Sequence, residues 1–599
     1  MDVESGTIDE LKKLQNITVF MDLSYEIKGR TWFKRNRKSQ SILNGACGAI
    51  RPGRLTYILG PSGAGKTSLL KILAGRKRTG VSGSMVGAGS DIVLVQQHAT
   101  LMDTLTTKEI LLFAAALKLP NASRTERNYI IETVTKQLGI NDVFNTRAGK
   151  LSGGERKRLT IACELLTDPN IMLLDEPTSG LDSVSSMSVA RSLRALTNSG
   201  RTVACVIHQP SSQLFASGDD VILLAAGKTI YAGAISDLPQ NLKRAGFVCP
   251  HYYNMADFIL EIASSDHSGN TEVLEKEAKL YALEMKKIAT ESVQHKNGLD
   301  HSLESEALLN TNSPFENNRY MAGFSQQMQV LLWRGYLGVL RDVHLTQIRV
   351  VTHFIVALLL GALYNGAGQD GGRTVSNTGC LFFFLLFLYF SNAMPTIHTF
   401  PVEASVVLQE HLNKWYYLTS YCATKIIVDL PIQLLCATVF VFPAWYLTSQ
   451  PLEVDRMCRA WLICVLLTIM AQTFGLVVGA ACGVKLGLFV IPAANIPMLM
   501  FSEFFIPYKE IPSYLQPFAF ISYFRYAFDA FMQSVYGFGR PKLPCNVLFC
   551  MFRDPKYYLA YLGLTGNFVT DTIALIIWTL LLQAALMCVL RYRVYRACK

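Results

Sequence analysis

Charge is what this chain has little of. Asp, Glu, Lys and Arg make up 17% of its 599 residues, against roughly a quarter in an ordinary soluble protein. That shortage excludes a chain that is soluble and globular throughout. None of its 14 cysteines forms a CxxC pair, so the usual sequence sign of a zinc site is missing. Most of them fall in segments that read as cytosolic or membrane-embedded, where free thiols are expected. Residues 1–14 are charged and hold no apolar run, so no secretory signal peptide is expected. No base-stacking motif accompanies the net charge of +11. The basic balance therefore points to a cytosolic membrane surface and not to nucleic acid. There is no long-period internal repeat.

What the chain does have is an uneven apolar excess. Up to about residue 313, charged and apolar residues mix as in globular domains. Further on, apolar runs reach roughly the 20 residues needed to cross a bilayer core. Residues 1–263 read as an α/β domain, with short β-rich runs alternating with helical stretches. Residues 264–318 read as a polar linker holding one charged helix near 272–289 and no sustained apolar face. The amphipathic segment 319–342, with Trp333, Arg334 and Tyr336 interleaved, is expected to lie flat on the inner membrane surface. Residues 343–599 carry six apolar spans, at about 345–364, 378–399, 424–447, 459–482, 485–506 and 570–591. An external loop is expected at about 508–569; its apolar sequence, broken by Pro507, Pro512, Pro517, Pro541 and Pro544, suits short re-entrant helices followed by an external cap. An even number of spans returns the C-terminus to the cytosol, in agreement with Arg591, Arg593, Arg596 and Lys599 behind the last one. The expected fold class is an α/β domain followed by an all-α six-helix transmembrane domain.

Two motifs in the first domain carry chemistry. Gly60-Pro61-Ser62-Gly63-Ala64-Gly65-Lys66-Thr67 follows an apolar strand and opens a helical run that begins at Ser68. Glycines let backbone N–H groups converge on phosphate oxygens, and the helix N-terminus adds positive potential. Lys66 would reach the β- and γ-phosphates and the Thr67 hydroxyl would ligate Mg2+, which makes ATP the expected ligand and the α/β domain a P-loop (phosphate-loop) nucleotide-binding domain. The run 171–174 is a buried strand that ends in Asp175 and Glu176. Asp175 would hold the metal and Glu176 would polarise the attacking water, since phosphoryl transfer needs mainly positioning and charge neutralisation.

Leu151-Ser152-Gly153-Gly154-Glu155, taken with these two motifs, resembles the signature of the ATP-binding cassette family. Gln97 after a strand, Ser179-Gly180-Leu181-Asp182 after the carboxylates, and His208 ending a β-run complete the pattern. The resemblance implies that two cassettes sandwich ATP head to tail, so the chain needs a second half-transporter, in a homodimer or a heterodimer. Ser152, Gly153 and Gly154 would bind the γ-phosphate held by the opposite subunit. Gln97 would assist at the metal and the attacking water, and His208 would contact the γ-phosphate. An aromatic usually stacks on adenine in this family; Tyr25 is the best match, with Trp32 and Phe33 as rivals.

The cassette comes first and the membrane domain second, which resembles the G subfamily of white/scarlet and sterol-exporting half-transporters. Further matches are Gly153-Gly-Glu-Arg-Lys-Arg158, Phe400-Pro-Val-Glu403 with Glu410 and Tyr416, and Tyr523-Phe-Arg-Tyr-Ala-Phe528. Cys545 and Cys550 look like the lipid- and sterol-exporting branch. A disulfide between them is expected in the external loop, with two free thiols or a bridge between subunits as the alternatives. The resemblance implies a cargo slot between spans two and five of both subunits. Phe383, Phe387, Phe390, Asn495, Leu499 and Met500 are the candidates to line it, with ordinary helix packing as the rival reading. Phe504 and Phe505 are candidates for an exit gate above it. Two departures stand out: His98 and Ala99 follow Gln97 where the family commonly has an acidic residue, and Glu503 replaces a usual glycine. Glu503 is expected at the outer interface in water. The expected protein is thus a multi-pass ATPase of a plasma or vesicle membrane, both termini cytosolic, that moves lipid or sterol-like cargo and touches membrane lipids. The alternatives are a transporter of pigment precursors or small aromatic metabolites, and a membrane-anchored regulatory ATPase.

Overall fold

The computed structural model describes residues 17–28, 39–87, 92–97, 100–264, 271–294, 322–545, 550–564 and 566–598. They form two compact units. The first takes in residues up to Gly323 together with Gln409–Trp415 and Tyr595–Lys599; the second holds Phe324–Leu408 and Tyr416–Val594.

Among the described residues of the first unit are nine strands: β1 Thr18–Lys28, β2 Ser39–Ile50, β3 Leu55–Leu59, β4 Val81–Val86, β5 Ile92–Val95, β6 Ile171–Asp175, β7 Thr202–Val206, β8 Asp220–Ala225 and β9 Lys228–Ala234. A six-stranded sheet runs β5-β6-β7-β3-β8-β9. Its pairs are parallel except β8 with β9. The runs LTYIL, IMLLD and TVACV of β3, β6 and β7 are buried at every residue. That continuous apolarity is what a parallel sheet covered on both faces requires. The phosphate loop, the two carboxylates and His208 all follow the C-terminal ends of β3, β6 and β7, where ligands sit in open α/β sheets. The smaller antiparallel sheet has the order β2-β1-β4.

The stretch 264–318 is not simply a polar linker. Its helix Thr271–Gln294 packs on β9, β1 and β2, with Leu274, Ala278, Ala282 and Ala289 buried. Spaced four, four and seven residues apart, they make an apolar face of mostly small side chains. Alanine adds little hydrophobicity, so the face is hard to see among so many charges. Gln409–Trp415 also belong to this unit. Trp415 Nε1 donates to Glu164 Oε1 at 3.2 Å, and its ring lies 4.8 Å from Lys118 Nζ. Asn413 bridges Arg76 and Glu164. Lys118 and Glu164 form a buried ion pair at 2.5 Å.

Among the described residues five helices, most of their length in the second unit, are long and apolar enough to cross a membrane: Thr346–Leu363, Thr374–Leu412, Leu418–Leu447, Val454–Met500 and Phe568–Cys598. The 47-residue helix contains two of the six expected spans, because Gly483 breaks it with φ 71° and ψ −176°. Several polar groups between these helices pair with one another, as a lipid environment favours. Asn377, for example, exchanges hydrogen bonds with Gln450 and donates to Tyr536 Oη at 2.7 Å.

One expectation gains a buried side here. The helix Phe324–Arg341 does expose Trp333, but it turns Gln327, Leu331 and Arg334 inward. Gln327 Oε1 accepts from Tyr417 N and Ser420 Oγ at 2.9 and 2.8 Å. Arg334 Nη2 donates to Tyr416 Oη at 3.3 Å. The segment is therefore anchored by polar side chains that suggest an exposed face when read alone. Within 508–569, where short helices ahead of an external cap are expected, stand the helices Gln516–Ile521 and Tyr523–Tyr536, the second buried at 11 of its 14 residues. Arg456 stops it by donating to the carbonyls of Gly537 and Phe538 at 2.7 and 3.0 Å.

Candidate functional site

The phosphate loop links β3 to the helix Lys66–Leu73. Gly65, the helix N-cap, has φ 96°, and a Cβ there would come within 2.7 Å of Leu43. Only glycine meets both demands. Lys66 Nζ donates to the carbonyls of Gly60 and Pro61 at 2.7 and 2.9 Å. Burial pushes this ammonium below the usual lysine range, while Glu176 and Asp175 oppose the shift. The flexible stem places a cation inside a ring of its own backbone, ready to exchange carbonyls for phosphate oxygens.

Thr67 Oγ1 donates to Asp175 Oδ1 at 3.1 Å. Burial pushes the Asp175 carboxyl up, and the Thr67 bond and Lys71 pull it back. Beside it, Gln97 Nε2 donates to Glu176 Oε2 at 2.6 Å. Glu176 has φ 48°, and its N–H donates to Val206 O at 3.1 Å. A left-handed backbone at a glutamate is costly. Here it turns the side chain after Asp175 towards Gln97. Ser62 Oγ lies 3.4 Å from His208 Nε2. Ser62 with His208, Thr67 with Asp175, and Gln97 with Glu176 thus form three separate side-chain pairs at the C-terminal edge of the parallel strands. Pro61, Gly63, Ala64 and Ser68 belong to the same loop and helix start.

Ser152, Gly153 and Gly154 stand on another element. Ser152 caps the helix Gly153–Leu165 in a capping box with Glu155. Cβ atoms on Gly153 and Gly154 would press on Leu181 and Ser185, at 2.8 and 3.1 Å. The glycines therefore let the segment after Glu176 approach the signature closely.

Lys157 was not singled out by sequence, although it lies inside the Gly-Gly-Glu-Arg-Lys-Arg motif. It is buried, donates to Gln97 O, and is pushed down to about 8 by burial. Asp175 and Glu176 oppose that shift. Its place four residues after Gly153 was the available signal.

Tyr25 is a correction. It is 1% exposed in β1, its hydroxyl accepts from Lys77 Nζ at 3.2 Å, and Lys77 sits 4.5 Å from its ring centre. A buried ring capped by an ammonium offers no face to adenine. Trp32 and Phe33 lie outside the described residues, as do His98 and Ala99.

In the membrane unit the candidates divide. Phe383 is exposed and stacks on half-buried Phe387 at 6.3 Å. Phe390 and Leu499 are half-buried and Met500 is exposed. Asn495 does not line an open slot. It is fully buried, donates to Ile491 O at 2.6 Å, and accepts from Tyr523 Oη. Phe504 stacks face to face on Phe382 at 4.0 Å and meets Phe528 edge-on at 5.7 Å, whereas Phe505 is exposed. Cys545 and Cys550 are joined in a disulfide with a Cα separation of 6.0 Å.

Glu503 is the second correction. It is 2% exposed, with φ 65°, and pairs with Arg525 at 2.6 Å. The positive φ explains why a glycine would suit the position. The ion pair and burial are tertiary facts that the interface reading missed.

Residues 43–179 match the ABC transporter family, and residues 326–536 match the ABC-2 type transporter family. The chain is 31% identical to Protein white of Drosophila melanogaster over 510 residues, 81% of this chain and 73% of that one. It is 30% identical over 549 residues to the Broad substrate specificity ATP-binding cassette transporter ABCG2 of Mus musculus, covering 86% and 83%. It is likewise 30% identical over 522 residues to ABC transporter G family member 14 of Arabidopsis thaliana, covering 83% and 79%.

Proposed function

Because the chain belongs to the G family of ABC transporters, ATPases coupled to transport across a membrane, we propose that it is one half of a dimeric exporter of lipid or sterol-like cargo. The observation that carries the reading is the pairing of Gln97 with Glu176 beside that of Thr67 with Asp175. Through the adjacent Asp175 and Glu176, the two pairs bring metal-holding oxygens and a water-polarising carboxylate next to the phosphate loop. Oxygen donors of this kind suit a hard cation. Thr67, Asp175 and Gln97 would hold Mg2+, which neutralises phosphate charge when bound. Lys66 binds the β- and γ-phosphates. Glu176, oriented by the Gln97 amide, takes the proton of the attacking water. His208 and Ser62 flank the γ-phosphate. Ser152, Gly153 and Gly154 close on the γ-phosphate held by the partner, so each half is incomplete alone.

Closure of the cassettes would rock the membrane halves apart at their outer ends. The stack of Phe504 on Phe382 would then part as an apolar gate. Rings at Phe383, Phe387 and Phe504 suit flat, hydrophobic cargo. A second reading, export of a small aromatic metabolite, is favoured by the same rings, since aromatic pairs gain about 0.5–1.5 kcal/mol beyond area burial. The intact hydrolytic cluster counts against a purely regulatory ATPase. Both termini would face the cytosol, in a plasma or vesicle membrane.

The test is purification of the full-length chain in detergent, with its mass and its ATPase rate measured across lipids, sterols and small aromatics. ATP-driven uptake of each class into inside-out vesicles follows. Uptake of lipid or sterol supports the reading, and uptake of aromatics alone favours the second. ATP binding without flux of any cargo refutes both.

A further inference from the structure

Behind the Phe504 stack lies a buried cluster with too many acids. Glu503 precedes Phe504, and Asp529 follows Phe528, the ring that meets Phe504 edge-on. Glu503, Asp529 and Asp571 are 2%, 5% and 5% exposed. Arg525 is the cation in whose field all three lie. It is committed to Glu503 at 2.6 Å, with the rings of Tyr508 and Phe520 over its guanidinium at 4.7 and 4.8 Å.

Asp529 is well supported as an acceptor. Its Oδ1 accepts from Gln533 Nε2 at 2.7 Å and its Oδ2 from Gly566 N at 3.0 Å. Asp571 is not. Its Oδ2 is buried without a hydrogen-bond partner among the described residues. Both Oδ2 atoms crowd the point where a Cβ on Gly566 would stand. The two carboxylates therefore face each other across the space that a glycine leaves open. Tyr526, the remaining titratable neighbour, gives its hydroxyl to Phe520 O at 2.9 Å.

Two facing carboxylates cannot both be charged out of water without a large penalty; sharing a proton turns repulsion into a hydrogen bond. We propose that Asp529 and Asp571 form a proton-binding pair, and that the shared proton clamps the helix Tyr523–Tyr536 to the helix Phe568–Cys598 and so keeps the Phe504 stack closed. The proton needs no cavity and no further ligand. Asp571 donates and Asp529 accepts, with Gln533 and Gly566 holding the acceptor in place. Loss of the proton leaves two facing anions, which push Asp529 and the neighbouring Phe528 away. Alkaline conditions on the exit side would loosen the gate and acid conditions would hold it shut. The clamp half of this inference rests on the gate reading above; the proton site does not.

The test uses the full-length chain in lipid, with two measurements. Infrared difference spectra across a pH titration should show a protonated-carboxyl C=O band that is lost in Asp571→Asn. Gly566→Ala, which keeps every charge but forces the pair apart, should shift the band's titration. In proteoliposomes with the nucleotide sites outward, raising luminal pH alone should raise the basal ATPase rate of the wild type. Asp571→Asn, which keeps a donor facing Asp529, should lose that response. A band unchanged in both variants overturns the proton site. A band lost without any luminal-pH response in the wild type overturns the clamp and leaves the exporter reading standing.

Discussion

Lys118→Met puts a number on the packing of the first unit. The ammonium it removes is buried, pairs with Glu164 at 2.5 Å, donates to Cys163 O at 2.9 Å, and lies under the Trp415 ring. Methionine fills nearly the same volume, so the loss is electrostatic and leaves no cavity. Removing one partner of a buried pair costs about 3–5 kcal/mol, because the other charge stays behind. Glu164 keeps two donors, Asn413 Nδ2 and Trp415 Nε1. The expected cost is therefore at the lower end, about 3 kcal/mol, or roughly 6–12 °C in melting temperature for a domain of this size. Glu164→Leu alone should cost a similar amount. The double variant should recover part of it, since replacing both ions by apolar groups is often neutral, less the two donors left without an acceptor. Thermal unfolding of the full-length chain in detergent, followed for all four proteins, measures the cycle. A single-variant loss under about 1 kcal/mol would mean the pair is wet, a value typical of exposed ion pairs, and would refute the reasoning.

Glu176→Gln should abolish turnover and keep ATP binding, whereas Lys66→Ala should weaken binding itself; near-normal hydrolysis by purified Glu176→Gln would remove Glu176 from its role. Phe504→Ala with Phe505→Ala should raise basal ATPase and lower cargo moved per ATP at normal surface abundance; unchanged coupling would end the gate reading. Peptide mapping without reductant should recover Cys545 and Cys550 linked, and two alkylatable thiols there would contradict it. Lys157 titrates near 8 when folded against an ordinary 10.5, so the unfolded chain binds more protons between those values and stability should rise with pH across them. Lys157→Met should flatten that rise, which melting curves at several pH values would reveal.

The nucleotide site was the most legible part of the sequence. Its residues are fixed by local rules: a glycine where φ is positive, an apolar strand before it, a helix behind. Gln97 and Glu176 could be placed because each ends or follows a strand of one parallel sheet. Tyr25 could not. Its strand shifts register on either side of it, and only the packing of Lys77 over it shows that the ring is covered. Arg334 and Glu503 misled for a related reason. A charge suggests water until its partner, Tyr416 or Arg525, is brought alongside from a distant segment. The helix Thr271–Gln294 hid its inner face behind alanines. Asp571 sits near the start of an apolar span, where a lone carboxylate looks like a boundary mark until Asp529 is seen to face it.

The break at Gly483 has a mechanical consequence. The residue has φ 71°, and nothing lies within 4 Å of the place its side chain would take. Crowding does not demand a glycine there; the backbone angle does. One residue is the whole connection between two apolar spans, so there is no slack to absorb movement of either. A tilt of the span before Gly483 is passed on to the span behind it, as through a gear tooth. That second span carries Asn495 and leads directly to Glu503 and Phe504. A longer, floppier connection made by inserting a few glycines after Gly483 would act as a slipping clutch, with ATP still consumed and the far end no longer driven.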